Sequence, residues 1–110
     1  MRILLDHNVP APMRYWLTEH QVETTYELGW AELRNGELLR MAEGAGFDLL
    51  ITSDKSIRYQ QNVADCKLAF AVLSTNDWTE IRKWKSVVVD RISQMAPGTF
   101  TEIEIPAPRT

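Results

Sequence analysis

Two stretches of this chain, Leu49-Leu50-Ile51 and Leu68 to Leu73, are apolar at every consecutive position and have no polar face to turn toward water. Strands of that kind are stable only when both faces of their sheet are covered, as in parallel sheets flanked by helices. An antiparallel sheet with one wet face is therefore a poor home for them. Both runs end in polar residues, Thr52-Ser53-Asp54-Lys55 and Ser74-Thr75-Asn76-Asp77. The strand limits expected on this basis are Asp48 to Ser53 and Leu68 to Leu73.

The rest of the chain supplies helices to cover them. Ile3 to Leu5 is a short first strand ending in Asp6-His7-Asn8, and Met13, Trp16, Leu17 and His20 follow at helical spacing. Asn8 is a good N-cap, while Pro10 and Pro12 push the start of that helix later. Val22 to Leu28 is rich in β-branched and aromatic residues and reads as a second strand. Leu38, Leu39, Met41, Ala42 and Ala45 form an amphipathic helix after Asn35-Gly36-Glu37, stopped by Gly44 and Gly46. Residues 56–65 read as a polar loop with a short helix. Ile81, Trp84, Val88, Ile92 and Met95 mark the longest helix, with Trp16 and Trp84 expected in the core. Phe100 to Ile105 alternates, as an edge strand does. Strands separated by helices give an α/β fold of three layers, α/β/α, around a mostly parallel five-stranded sheet.

Composition limits the function classes. A chain of 110 residues, 45% apolar and 25% charged, makes one domain over residues 1–110, with no linker, repeat or disordered composition. No apolar run is long enough to cross a bilayer, so no membrane partner is expected. The opening Met1 to Asp6 meets an acid after three apolar residues and does not form a secretory h-region, which points to the cytoplasm. Cys66 is the only cysteine, which rules out an internal disulfide and a cysteine-based zinc cage. A net charge of −3 argues against avid, nonspecific nucleic-acid binding, though a local basic strip still binds phosphate.

Ligands of open α/β sheets bind beyond the carboxyl ends of strands, where the strand order reverses. With the first strand central and flanked by the second and third, Asp6 and Asp54 both reach that point. Two carboxylates a few ångströms apart repel by about 4 kcal/mol at an effective dielectric of 20, so such a pair calls for a proton or a cation. Magnesium or manganese (Mg2+ or Mn2+) suits hard carboxylate oxygens. Glu37, in the first turn of its helix, is a third acid, Asn8 a neutral oxygen, and Asn76 or Asp77 a further ligand. Lys55 and Arg58 stand ready to hold a phosphate, and Tyr59, Trp30 and Trp78 to stack on unpaired bases. Each residue also has a plainer role: Asp6, Asn8 and Asp54 as caps or turn residues, Glu37 as a first-turn acid, and Lys55 and Arg58 as a solvated loop.

Asp6-His7-Asn8-Val9-Pro10, Asn35-Gly36-Glu37-Leu38-Leu39 and Leu50-Ile51-Thr52-Ser53-Asp54-Lys55 closely resemble the PIN-like proteins of the DUF5615 group, related to PIN-domain nucleases and the Mut7-C domain. Ser56 to Asn62 and Val72 to Trp78 resemble a subgroup of them, so the likeness spans roughly residues 1–85. It implies a Rossmann-like PIN fold and a magnesium- or manganese-dependent ribonuclease of the toxin type, with single-stranded RNA as substrate, an antitoxin protein as partner and a homodimer as the assembly. Asp6, Glu37 and Asp54 match its acids, with Asn76 or Asp77 at the fourth place. His7 and Asn35 replace acids common in the group and remove negative charge, which opens a second reading as a catalytically inactive RNA- or protein-binding module. A third is a receiver-like phosphoacceptor domain with Asp54 as the acceptor. Ser74-Thr75 suits that reading, whereas Asp6-His7 and Ile105-Pro106 do not.

Overall fold

The computed structural model describes residues 1–59 and 66–106; the side chains of Asn35, Arg58 and Tyr59 lie outside that description. Strands β1 (Arg2–Leu5), β2 (Gln21–Thr24), β3 (Leu49–Thr52), β4 (Ala69–Leu73) and β5 (Phe100–Ile103) form one sheet in the order β2-β1-β3-β4-β5. Every neighbouring pair is parallel, β5 included, so the sheet is wholly parallel. The order reverses between β1 and β3, because the chain leaves β1 toward one edge and returns to build the other half on its opposite side.

Two helical layers cover the sheet. Ile3, Leu5, Leu49, Ile51, Ala69, Ala71, Leu73 and Ile103 face one layer, where Met13 and Leu17 pack beside Ile81, Val88 and Ile92. Leu4, Leu50, Phe70 and Val72 face the other, under Leu38, Leu39 and Ala42 of α1 (Asn35–Gly44) and Ile57 of a 3-10 turn, Lys55–Tyr59. The uninterrupted apolar runs of β3 and β4 thus alternate between two dry cores, which is the three-layer α/β/α arrangement.

Several elements differ from the sequence expectation for local reasons. The segment after Asn8 is a 3-10 helix, Ala11–Trp16, because Pro10 and Pro12 remove backbone donors an α-helix would need. Strand β2 stops at Thr24 instead of reaching Leu28. There the Glu27 carboxylate accepts from Thr24 N (3.2 Å) and Thr24 Oγ1 (3.1 Å), while Glu27 N donates to Thr24 Oγ1 (3.1 Å), and this side-chain lock turns the chain out of the sheet.

The longest helix is broken into α2 (Trp78–Ile81), a 3-10 turn at Arg82–Trp84, and α3 (Lys85–Ser93). Trp84 takes φ −116° and ψ 27°, outside the helical region. It is 38% exposed, whereas Ile81, Val88 and Ile92 keep the buried face. Trp16 is partly buried and packs against the core, its ring tilted on that of Trp78 at 4.9 Å between centroids. Among the described residues, no helix is long and apolar enough to cross a membrane.

Candidate functional site at the β1–β3 strand ends

Asp6 and Thr52 meet where the strand order reverses. Asp6 N donates to Ile51 O at 2.9 Å, prolonging the β1–β3 ladder by one residue, and this turns the Asp6 side chain to the same face as Leu4. Its carboxylate is only 4% exposed. Thr52 Oγ1 donates to Asp6 Oδ2 (2.8 Å), His7 N donates to Asp6 Oδ1 (2.8 Å), and His7 Nδ1 lies 3.0 Å from the same oxygen. Among the described residues no Lys or Arg makes an ion pair with it, and the largely exposed His7 ring is its one ion-pairing neighbour, charged when protonated.

The loops after β1 and β3 are laced to each other. Asn8 Oδ1 accepts from Ser53 N at 3.0 Å, and Ser53 Oγ donates to Asn8 O at 3.2 Å. Thr52 Oγ1 accepts from Asp54 N at 3.1 Å. One buried hydroxyl therefore joins Asp6 to the backbone that carries Asp54. The Asp54 carboxylate accepts from Ser56 N (3.0 Å) and Ser56 Oγ (2.7 Å), opening the 3-10 turn that presents Lys55 to solvent.

The other expected residues are spread along the carboxyl edge of the sheet. Asp6, His7, Val9, Ala11, Arg14, Thr24, Tyr26 and Glu27 line a groove of about 410 Å³ beyond β1 and β2. Lys55 and Asp77 line another, of about 450 Å³, with Ser74, Thr75, Glu80 and Glu104 beyond β3, β4 and β5. Asp77 caps α2, accepting from Thr79 N at 3.0 Å. Glu37 is exposed on the first turn of α1, and Asn76 is exposed after β4. Among the described residues, no three His, Cys, Asp or Glu side chains are grouped closely enough to hold a metal ion, so Asp6, Glu37 and Asp54 do not form a three-acid cluster. Arg58, expected to grip phosphate, has its side chain outside the described part, as does Tyr59.

The oxygens gathered at β1 and β3 are nonetheless the type that magnesium and manganese prefer: carboxylate, amide carbonyl and hydroxyl. Magnesium is commonly held by one or two carboxylates and keeps several waters, and the Asp6 carboxylate is an oxygen donor of that kind, although no group of three such side chains occurs among the described residues. In the groove beyond β1 and β2 the hydrogen bond from Arg14 holds the Glu27 carboxyl below its ordinary range. That pairing favours the fold above the pKa of an unfolded glutamate and is lost as pH falls through the lowered value.

The lone thiol takes no part. Cys66 is buried beside Glu43, with Sγ 2.8 Å from Oε2, and burial first, then the Glu43 hydrogen bond, pushes its pKa up to about 11. At pH 7 about one molecule in ten thousand carries a thiolate, which is the nucleophilic form. Alkylation of the native protein by iodoacetamide is accordingly expected to run at least tenfold slower than in urea. Equal rates would show the thiol to be accessible and ordinary.

Sequence reasoning missed three residues here. Thr52 is the polar end of an otherwise apolar buried strand, a signal visible in Leu49-Leu50-Ile51-Thr52. Tyr26, 83% exposed at the mouth of the groove, was assigned to the second strand. Thr25 is fully buried, and its Oγ1 has no hydrogen-bond partner among the described residues. The expected base-stacking residues behave differently: Trp78 packs on Trp16, and Trp30 packs edge-on against Phe47 at 6.1 Å. Comparison with protein-family models, with curated proteins and with solved structures finds no match for this chain.

Proposed function

We propose that this chain is a PIN-like ribonuclease that uses Mg2+ or Mn2+ to hydrolyse single-stranded RNA at the β1–β3 strand ends. What carries the reading is Asp6: a carboxylate 4% exposed, at the reversal of strand order, with hydroxyl and amide donors around it and no Lys or Arg ion pair among the described residues. Those hydrogen bonds offset part of the cost of burying a carboxylate, and a bound cation would offset more of it. The ion, when bound, would polarise a phosphodiester oxygen and lower the pKa of a coordinated water.

The chain's own residues divide the remaining work. Asp6 and Asp54 are the cation-holding carboxylates, with Glu37, Asn76 and Asp77 outside that pair. Asn8 and Thr52 keep the two loops in register. Lys55, exposed beside Asp54, presents an ammonium to a backbone phosphate, and Arg58 is assigned the same role from its place in the turn. Tyr26 offers a face on which an unpaired base stacks. An antitoxin protein partner, a homodimer and a cytoplasmic setting belong to the same reading.

Calorimetric titration with Mn2+ tests it at the first step. A single saturable event is expected, lost in the Asp6→Asn variant, together with cleavage of single-stranded RNA that EDTA abolishes and added Mn2+ restores. The lack of any three-acid group among the described residues favours a second reading, a PIN-like module that holds RNA without cutting it. No manganese binding at millimolar concentration, with RNA binding retained, would establish that one in place of the nuclease.

A further inference from the structure

Strand β2 is one edge of the sheet, with β1 as its only neighbouring strand among the described residues. Edge strands present unpaired N–H and C=O groups that act as a template for another strand. Along a strand these groups point alternately to its two sides. Gln21 N donates to Met1 O and Thr25 N to Leu5 O, each at 3.0 Å, so Gln21, Glu23 and Thr25 turn their backbone groups toward β1. Val22 and Thr24 turn theirs outward.

Side chains cover those outward groups. Arg14 Nη2, from the 3-10 helix Ala11–Trp16, donates to Val22 O at 3.2 Å, and Glu27 Oε1, from the turn after β2, accepts from Thr24 N at 3.2 Å. The turn itself takes Thr24 O, which accepts from Leu28 N at 3.3 Å. Arg14 and Glu27 are also ion-paired with each other. A donor set against the Val22 carbonyl and an acceptor set against the Thr24 N–H are what a sixth strand would bring. The same use of arginine recurs across the sheet: Ser74 N donates to Ile103 O at 3.0 Å, which turns the Glu102 carbonyl away from β4, and Arg91 Nη2 donates to that carbonyl at 3.3 Å. Ion pairing alone does not account for the arrangement at β2, because a pair 32% and 45% exposed adds little stability and needs no strand backbone.

We propose that Arg14 and Glu27 plug the β2 edge and keep a second copy of this chain from adding a strand there. Backbone pairing through Val22 and Thr24 is closed, and any assembly of the intact chain uses another surface. The plug stands with or without the nuclease reading of the Asp6 site.

The test compares the full chain with two double variants, Arg14→Ala/Glu27→Ala and Arg14→Glu/Glu27→Arg, by sedimentation velocity and by hydrogen exchange at the Thr24 amide over a range of protein concentrations. The second variant keeps an ion pair but reverses its polarity, so that a carboxylate meets the Val22 carbonyl and a guanidinium meets the Thr24 N–H. In wild type the Thr24 amide should exchange at one slow rate whatever the concentration. In both variants it should exchange at least about tenfold faster when dilute, and regain protection as the molecules associate on concentration. Circular dichroism checks that each variant is folded. A reversed pair that behaves as wild type would make this an ordinary ion pair and overturn the plug. So would variants that stay folded and unassociated, or that associate with the Thr24 amide still fast. Loss of the fold in both variants would make the pair a structural clamp instead, and wild-type protection at Thr24 that rises with concentration would show the edge to be open already.

Discussion

Asp6→Asn is expected to lower cleavage of single-stranded RNA by two orders of magnitude or more while the protein stays folded. The substitution keeps an oxygen to accept from Thr52 Oγ1, so the link between the β1 and β3 loops survives. What disappears is a negative charge buried at the one point where a cation would be held. Lewis-acid catalysis contributes several kcal/mol, and each 1.4 kcal/mol or so is a factor of ten in rate. Asp54→Asn should follow the same course if Asp54 is the second carboxylate, as proposed above. Glu37→Gln should do much less, since Glu37 is exposed on α1. Single-turnover cleavage on protein purified through two unrelated columns, with circular dichroism for the fold, makes the comparison. Wild-type rates in Asp6→Asn would end the nuclease reading.

The second large effect is on stability. Phe70→Ala should destabilise the domain by about 3–5 kcal/mol, against a total of about 5–15 kcal/mol for a domain of ordinary stability. Phe70 is 1% exposed, the second residue of β4, between β3 and β5, and its ring lies 5.8 Å from that of Phe100. Truncation leaves a cavity bordered by strands that cannot collapse without breaking two ladders. It also removes an aromatic pair, which contributes about 0.5–1.5 kcal/mol beyond area burial. Urea unfolding at 25 °C should show the midpoint falling by about 2 M for a typical slope. A loss below about 1 kcal/mol would mean that the core on the α1 side can repack around the gap.

The strands β3 and β4 were readable because their signal is local: consecutive apolar residues with no polar alternation need no knowledge of their neighbours. The same holds for the placement of Asp6 and Asp54, since a polar residue directly after a buried strand in an α/β chain lies at the carboxyl edge. Val22 to Leu28 misled because residue preference alone does not register that Thr24 and Glu27 close a side-chain turn. Trp78 was read as free to meet RNA because its partner, Trp16, is 62 positions away, and the contact exists only once the first 3-10 helix and α2 are laid on the same face of the sheet. Trp84 erred the other way, since helical spacing assumed a continuous helix that Arg82–Trp84 interrupts.

Periodicity and residue type thus settled that this chain builds a covered, parallel α/β sheet with acids at its strand ends, because those properties follow from each segment's own need to hide or expose its side chains. Which acids share a neighbourhood was decided elsewhere. Strand order and register brought Asp6 and Thr52 together, sent Asp77 to cap a helix and left Glu37 in solvent. Such placements depend on pairing between segments tens of residues apart, and the energy that selects them comes from packing the two cores together, which no single stretch of the chain contains.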